Sequence, residues 1–199
     1  PNKKELCVAT STCLVGVGHL VPMVIPNVGA IAAQAKVKPS NRLRILKLIK
    51  SGYSPHDSIK KILKDDNFKE HRQIIAMNSK GLGAVFSGNK TIDFSDYYVG
   101  ENYIVAGNML KSKNVIKSIS SSFAANPSVF LPERCLISLM EGEKMGGDIR
   151  GRMSASISYS NNSKNIVQLC IDYSKDPLKN LFKALNLRFS KEFRDIFDL

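Results

Sequence analysis

The chain has 199 residues, 43% of them hydrophobic and 23% charged, the proportions of one globular domain with a buried core. Disorder, a collagen-like repeat and a disulfide-built miniprotein are excluded. Lys and Arg total 29 against 17 Asp and Glu, a formal net charge of +12, and 21 of the 29 cations are Lys. Phosphate readers favour the planar fork of Arg, so this excess reads as solvated surface.

Residues 5–17 and 28–37 read as strands of a sheet covered on both faces, because they lack polar alternation, with a turn over residues 21–27 between them. Residues 6–35 contain no Asp, Glu, Lys or Arg. A membrane span or signal peptide is disfavoured there, since Gly16, Gly18, Pro22, Pro26 and Gly29 interrupt any apolar helix and Asn27 and Gln34 are costly in lipid. Ser40 or Asn41 can cap a helix with Leu43, Leu46 and Ile49 inward, ending at Ser51-Gly52. Ser54-Pro55 starts another, with Ile59, Ile62 and Leu63 inward and Asp57 on the positive end of the dipole.

Residues 72–77 and 82–86 form a hairpin around Asn78-Ser79-Lys80-Gly81, and residues 103–106 make a strand that runs into Gly107-Asn108. Helices follow at 113–125 and 132–145. A second hairpin spans 153–159 and 166–171 across Asn161-Asn162-Ser163-Lys164. Asp176-Pro177 opens a helix with Leu178, Leu181, Phe182 and Leu185 inward, and Phe193, Ile196 and Phe197 suit a short docking helix. Hairpins joined by paired helices make an α+β domain with antiparallel sheets and helices outside.

Four cysteines, Cys7, Cys13, Cys135 and Cys170, have no Cys-x-x-Cys spacing and sit among apolar neighbours. They read as reduced and structural, in a cytoplasmic protein. His19, His56 and His71 have no metal-ligand spacing, and neither a dinucleotide fingerprint nor a phosphate loop occurs, so no cofactor and no metal is expected.

The loop Gly146-Gly147-Asp148-Ile149-Arg150-Gly151-Arg152-Met153-Ser154 carries the clearest chemistry. Its glycines permit tight turns and close approach of a ligand. Arg150 can hold a carboxylate and Asp148 can orient it; an Asp–Arg pair pinning a helix-to-strand connection is the plain structural alternative. Asn108 ends an apolar strand, where it can donate to an oxyanion or form an Asx-turn. Gln34 is a lone amide in an apolar strand and needs partners, from backbone or substrate. Residues 36–64 hold nine basic residues and one acid, Asp57. That stripe could track phosphates, but only Tyr53 interleaves it with an aromatic ring, so a solvated helical face is preferred. Pro1 has a secondary amine that can act as a base, yet Asn2-Lys3-Lys4 after it reads as a turn. No Ser, Thr or Cys stands in a motif with a base.

Together the segments Glu5-Leu6-Cys7-Val8-Ala9-Thr10-Ser11, Val21-Pro22, Val28-Gly29-Ala30-Ile31-Ala32-Ala33-Gln34-Ala35, Gly107-Asn108-Met109-Leu110 and the 146–155 loop resemble a bacterial family of uncharacterised proteins described as N-terminal nucleophile (Ntn) hydrolases. Ala33 and Met153 stand where that family usually shows Thr and Gln. The resemblance implies a four-layer αββα sandwich, in which an N-terminal Thr, Ser or Cys attacks an amide carbonyl and its own α-amino group serves as base. Family members open with a short strand before an Asp-Pro turn. Pro1 aligns with that turn, so the single domain spanning 1–199 is expected to lack the opening strand.

The expected function is therefore hydrolysis of an amide bond in a small, charged substrate. Asn108 and Asp148 are the candidate catalytic residues, and Gln34 and Arg150 the candidate substrate-binding ones. Asp148 and Arg150 would grip a charged substrate end, while Asn108 would polarise the carbonyl or hold the loop. A small-molecule substrate and a homo-oligomer are the expected partners, with no membrane and no nucleic acid. The alternatives are a non-catalytic ligand-binding or assembly domain on the same fold, and nucleic-acid binding through residues 36–64.

Overall fold

The computed structural model describes residues 5–92, 94–161 and 165–190. The expectations for Pro1 and the turn after it, for residues 162–164 of the second hairpin loop, and for Phe193, Ile196 and Phe197 lie outside the described residues.

The protein is a mixed α/β structure with antiparallel sheets and helices. One sheet has the order β1-β8-β9, formed by β1 (Glu5–Thr12), β8 (Ser154–Asn161) and β9 (Val167–Ile171). Strand alternation divides its residues cleanly. Cys7 and Ala9 of β1, with Ala155 and Ile157 of β8, turn towards α5 (Leu131–Lys144) and α6 (Pro177–Arg188), where Leu136, Leu178, Leu181 and Leu185 are buried. Leu6 and Val8 turn the other way. On that side β8 carries Ser154, Ser156, Ser158 and Ser160, each 2% exposed or less. Buried hydroxyls need partners: Ser156 bonds Thr10 at 3.1 Å, and Ser154 bonds the Leu14 carbonyl and the Val17 N–H.

The second sheet has the order β2-β3-β4-β5, from β2 (Pro22–Ile25), β3 (Gly29–Ala35), β4 (Arg72–Asn78) and β5 (Gly83–Ser87). Helices α2 (Ser40–Lys50) and α3 (Pro55–Leu63) cover one face through Ile45, Leu46, Ile59 and Leu63 against Ile31, Ala33, Ile74 and Ala76. Its other face meets the first sheet, where Leu6 and Val8 share a cluster with Val21, Val24, Ala30 and Ala32. A two-stranded ribbon, β6 (Asp96–Gly100) and β7 (Tyr103–Gly107), packs on the same face of the second sheet, with β7 against β4. Helix α4 (Asn114–Ala125) closes over the ribbon with Val115 and Ile116 and lies beside α5.

Several local expectations change. β1 stops at Thr12, because Gly16 takes a left-handed φ of 71° and opens a one-turn helix, α1 (Val17–Leu20). Residues 21–27 are not a turn: Pro22–Ile25 form β2, and the reversal falls on Asn27, whose φ is 60°. Neither Ser40 nor Asn41 caps α2; Pro39 occupies the cap position without a side-chain bond. Leu43 is exposed and Ile45 takes the inward place. The basic segment is not wholly solvated either. Arg42 is 7% exposed, and its guanidinium donates to the carbonyls of Pro22, His19 and Pro39. Lys36 lies over the Phe68 ring. Ser54 does cap α3, accepting from Asp57 N–H at 3.0 Å. β6 was not legible in the sequence.

Candidate active site

A cavity of about 730 Å³ lies between β1 and β7, within the roughly 300–1,000 Å³ typical of ligand sites. Every residue of β1 lines it, and so does every residue from 102 to 110. A cavity on one face of a strand touches alternate residues. Contact with all of them means that the space follows the edges of both strands. β1 pairs only with β8 and β7 only with β6 among the described residues, so the two facing edges are both unpaired there. The space floors on Ala30, Ala32 and Gln34 of β3 and is roofed by Ile116 and Ile119 of α4 and Cys135 and Leu139 of α5.

Gln34, Asn108, Asp148 and Arg150 all line this cavity, in two separate pairs. Gln34 stands directly across from Gln73 on β4. Its Nε2 donates to Gln73 Oε1 at 2.7 Å and to the Ala106 carbonyl at 3.3 Å, and Asn108 Nδ2 reaches the same Gln73 oxygen at 3.5 Å. Gln73 itself is wholly buried, with Nε2 within 3.3 Å of Ser87 Oγ, Ser95 Oγ, the Asp96 carbonyl and the Gly107 carbonyl. It ties both strands of the ribbon to the second sheet. Sequence reasoning passed over it, although the signal was the one that marked Gln34, a single amide in an apolar strand.

The Asp148–Arg150 pair lies beside the C-terminal end of β1. Asp148 Oδ1 accepts Arg150 Nε at 2.9 Å and Arg150 N–H at 3.0 Å, while Oδ2 accepts Arg150 Nη2 at 2.6 Å, Cys13 N–H at 3.2 Å and Thr12 Oγ1 at 3.4 Å. Five donors fill a carboxylate with about four lone-pair sites. Burial pushes the Asp148 carboxyl up, but the Arg150 side chain, the N–H groups of Arg150 and Cys13 and the Arg150 charge outweigh it and hold the group below its ordinary value. The same bond raises Arg150. Arg150 Nη2 also lies 3.4 Å from Thr12 Oγ1, and its Nη1 makes no hydrogen bond among the described residues. Thr12 and Cys13 were missed from sequence because nothing in β1 announces which of its residues meets the distant loop.

The loop is held from several sides. Gly146, Gly147 and Gly151 have φ of 108°, 51° and 106°, a region that residues with a Cβ avoid. Asp148 bridges Leu110, Lys111 N–H donates to Gly147 O, and Ile149 N–H to Met109 O. Arg152 joins Glu143 of α5 at 2.6 Å to Asp176 before α6 at 2.7 Å.

Among the described residues, no three His, Cys, Asp or Glu side chains are grouped to hold a metal ion, and no helix is long and apolar enough to cross a membrane. The four cysteines are free. Burial and the nearby Cys135 thiol push the Cys7 thiol up, away from its reactive thiolate form.

The model of a family of unknown function, DUF1028, matches residues 1–181. The chain belongs to the DUF1028 family. A DUF1028 crystal structure from Silicibacter pomeroyi is 25% identical to it, covers 98% of this chain and 85% of its own, and superposes with a TM-score of 0.92. This DUF1028 chain also aligns with a mutant of Anbu from Hyphomicrobium sp. strain MC1 at 12% identity, over 96% and 93% of the two chains, with a TM-score of 0.40, too low to carry an argument about fold. No curated protein matches it.

Proposed function

We propose that this chain folds as a four-layer αββα sandwich of the Ntn-hydrolase type and belongs to an enzyme that cleaves an amide bond of a small, charged substrate. The layering of α2 and α3, the second sheet, the first sheet with the β6–β7 ribbon, and α4 to α6 supports the sandwich.

The observation that carries the reading is the space between the unpaired edges of β1 and β7. An extended segment there would pair with both, giving β9-β8-β1, the added strand, then β7-β6. Running antiparallel to β1, such a strand would place its first residue beside Thr12. Asp148 and Arg150 are bonded to Thr12. A Thr, Ser or Cys in first position would attack the amide carbonyl, its own α-amino group taking the proton and passing it to the amine that leaves as the C–N bond breaks. Water would then hydrolyse the acyl-enzyme to the free acid.

Because its oxygens are already occupied, Asp148 acts by orienting Arg150, whose Nη1 edge remains for the charged end of the substrate. Asn108 would polarise the carbonyl. Gln34 keeps its Oε1 as an acceptor while its amide nitrogen braces β7. The four free cysteines support a reducing, cytoplasmic setting.

The test is turnover. The product of the full reading frame is incubated with a panel of N-acyl amino acids and short peptides, and cleavage is read by mass spectrometry. Hydrolysis of at least one amide, lost on substitution of the first residue by Ala, is expected. A correctly processed protein that cleaves none of the panel would contradict the reading. The saturated Asp148 carboxylate favours a second possibility, a ligand-binding domain on the same fold, which the same panel would reveal as binding without cleavage.

A further inference from the structure

We propose that β6 is the strand through which two copies of this chain pair, across a two-fold axis beside Tyr98. The geometry begins with the register of the ribbon. Gly100 pairs with Tyr103 across the two-residue turn 101–102, and a pair that close to a turn has to be a hydrogen-bonded one. Bonded and non-bonded pairs alternate along the ladder. Tyr98 and Asp96 therefore bond β7, and the main-chain groups of Tyr97 and Val99 point outward. The Tyr97 N–H agrees, since it donates to Asp96 Oδ1 at 2.8 Å. No strand covers this edge among the described residues.

The outward groups complement themselves. Two β6 strands brought together antiparallel about Tyr98 set Tyr97 of one copy opposite Val99 of the other, twice. Each such pair can exchange two N–H···O bonds once the Asp96 carboxylate swings off Tyr97. Asp96 then faces Gly100 of the second copy, so no like charges oppose one another.

Side chains and charge favour the same contact. Tyr97, Tyr98 and Val99 are 49%, 48% and 52% exposed. The edge extends through Ile92 and Phe94, whose carbonyls accept from Met109 and Leu110 N–H, and these are 57% and 47% exposed. Exposed edges are ordinarily blunted by Lys, Pro or a bulge, and β6 has neither Lys nor Pro. Residues 91–110 carry three acids and no Lys or Arg in a chain of net charge +12. A second copy can approach here without setting cation against cation.

The experiment is light scattering on the full chain over a wide concentration series, with Val99→Lys and Val99→Pro beside the wild type. Val99 N–H does not serve the ribbon, so Val99→Pro leaves the monomer fold intact while removing two bonds from the dimer. The expected result is twice the monomer mass for the wild type and monomer mass for both variants, with unchanged circular dichroism. A wild type that stays monomeric throughout, or a dimer that survives in a folded Val99→Pro variant, overturns the proposal. If Val99→Lys unfolds the chain, Val99→Pro decides alone.

Discussion

Asp148 grips Arg150 through two parallel contacts, Nε to Oδ1 at 2.9 Å and Nη2 to Oδ2 at 2.6 Å, and at the same time accepts the Cys13 N–H that follows β1. One carboxylate thus joins the glycine-rich loop to the strand it meets. Bidentate Arg–carboxylate geometry adds orientation as well as strength, so the pair fixes where Arg150 presents its remaining donor.

This pair sets an acid dependence. The Asp148 carboxyl is held below its ordinary 3.8 in the folded protein. Its contribution to stability is complete above that ordinary value and is lost as pH falls through the lower folded one. Amide exchange at Cys13 should be slow at neutral pH and open in acid, and Asp148→Ala should open it at every pH. Protection at Cys13 that survives Asp148→Ala would mean the carboxylate does not hold the loop.

The Arg150 side chain is half-exposed, and its Nη1 makes no hydrogen bond among the described residues. Arg150→Ala should abolish substrate binding, and it should also lower the melting temperature, because it removes the main partner of the largely buried Asp148 carboxylate. Equal turnover in a folded Arg150→Ala variant would remove Arg150 from the site.

Gln73→Leu tests the brace. Leu has similar volume but strands the amides of Gln34 and Asn108 and the buried acceptors around them. At about 1–3 kcal/mol for each buried polar group left unpaired, a loss of at least roughly 2 kcal/mol is expected in urea unfolding. A change under ~0.5 kcal/mol, the range of a neutral surface substitution, would contradict the role.

Asp66 and Arg72 form a buried ion pair at 2.7 Å, their side chains 4% and 6% exposed. The Arg72 bond is the main cause that holds the Asp66 carboxyl down at about 2, against an opposing push from burial. Arg72→Met leaves that charge buried and unpaired, which costs about 3–5 kcal/mol. The deficit should be full above pH 3.8 and vanish as pH falls through about 2. A deficit independent of pH would assign the loss to packing instead.

Much of the fold could be read directly. The helices α3, α5 and α6 follow from Ser54 or Pro at their starts, and α4 from apolar spacing alone, because one buried stripe suffices to define a helix. β6 escaped because Tyr97, Tyr98 and Val99 are all half-exposed, so no alternation marks them. Leu43 misled because Arg42 and Asn41 take buried places on α2, an arrangement fixed by carbonyls of a distant segment. At the site, Asp148 and Arg150 were legible as neighbours in one loop. Thr12 and Cys13 stand more than a hundred residues away, and only the folded chain brings them there.

The most direct test of the hydrolase account is the intact mass and N-terminal sequence of the product made from the full reading frame. The account predicts that the mature first residue is Thr, Ser or Cys. A mature chain that begins with any other residue has no N-terminal nucleophile to place beside Thr12, and that result would contradict it.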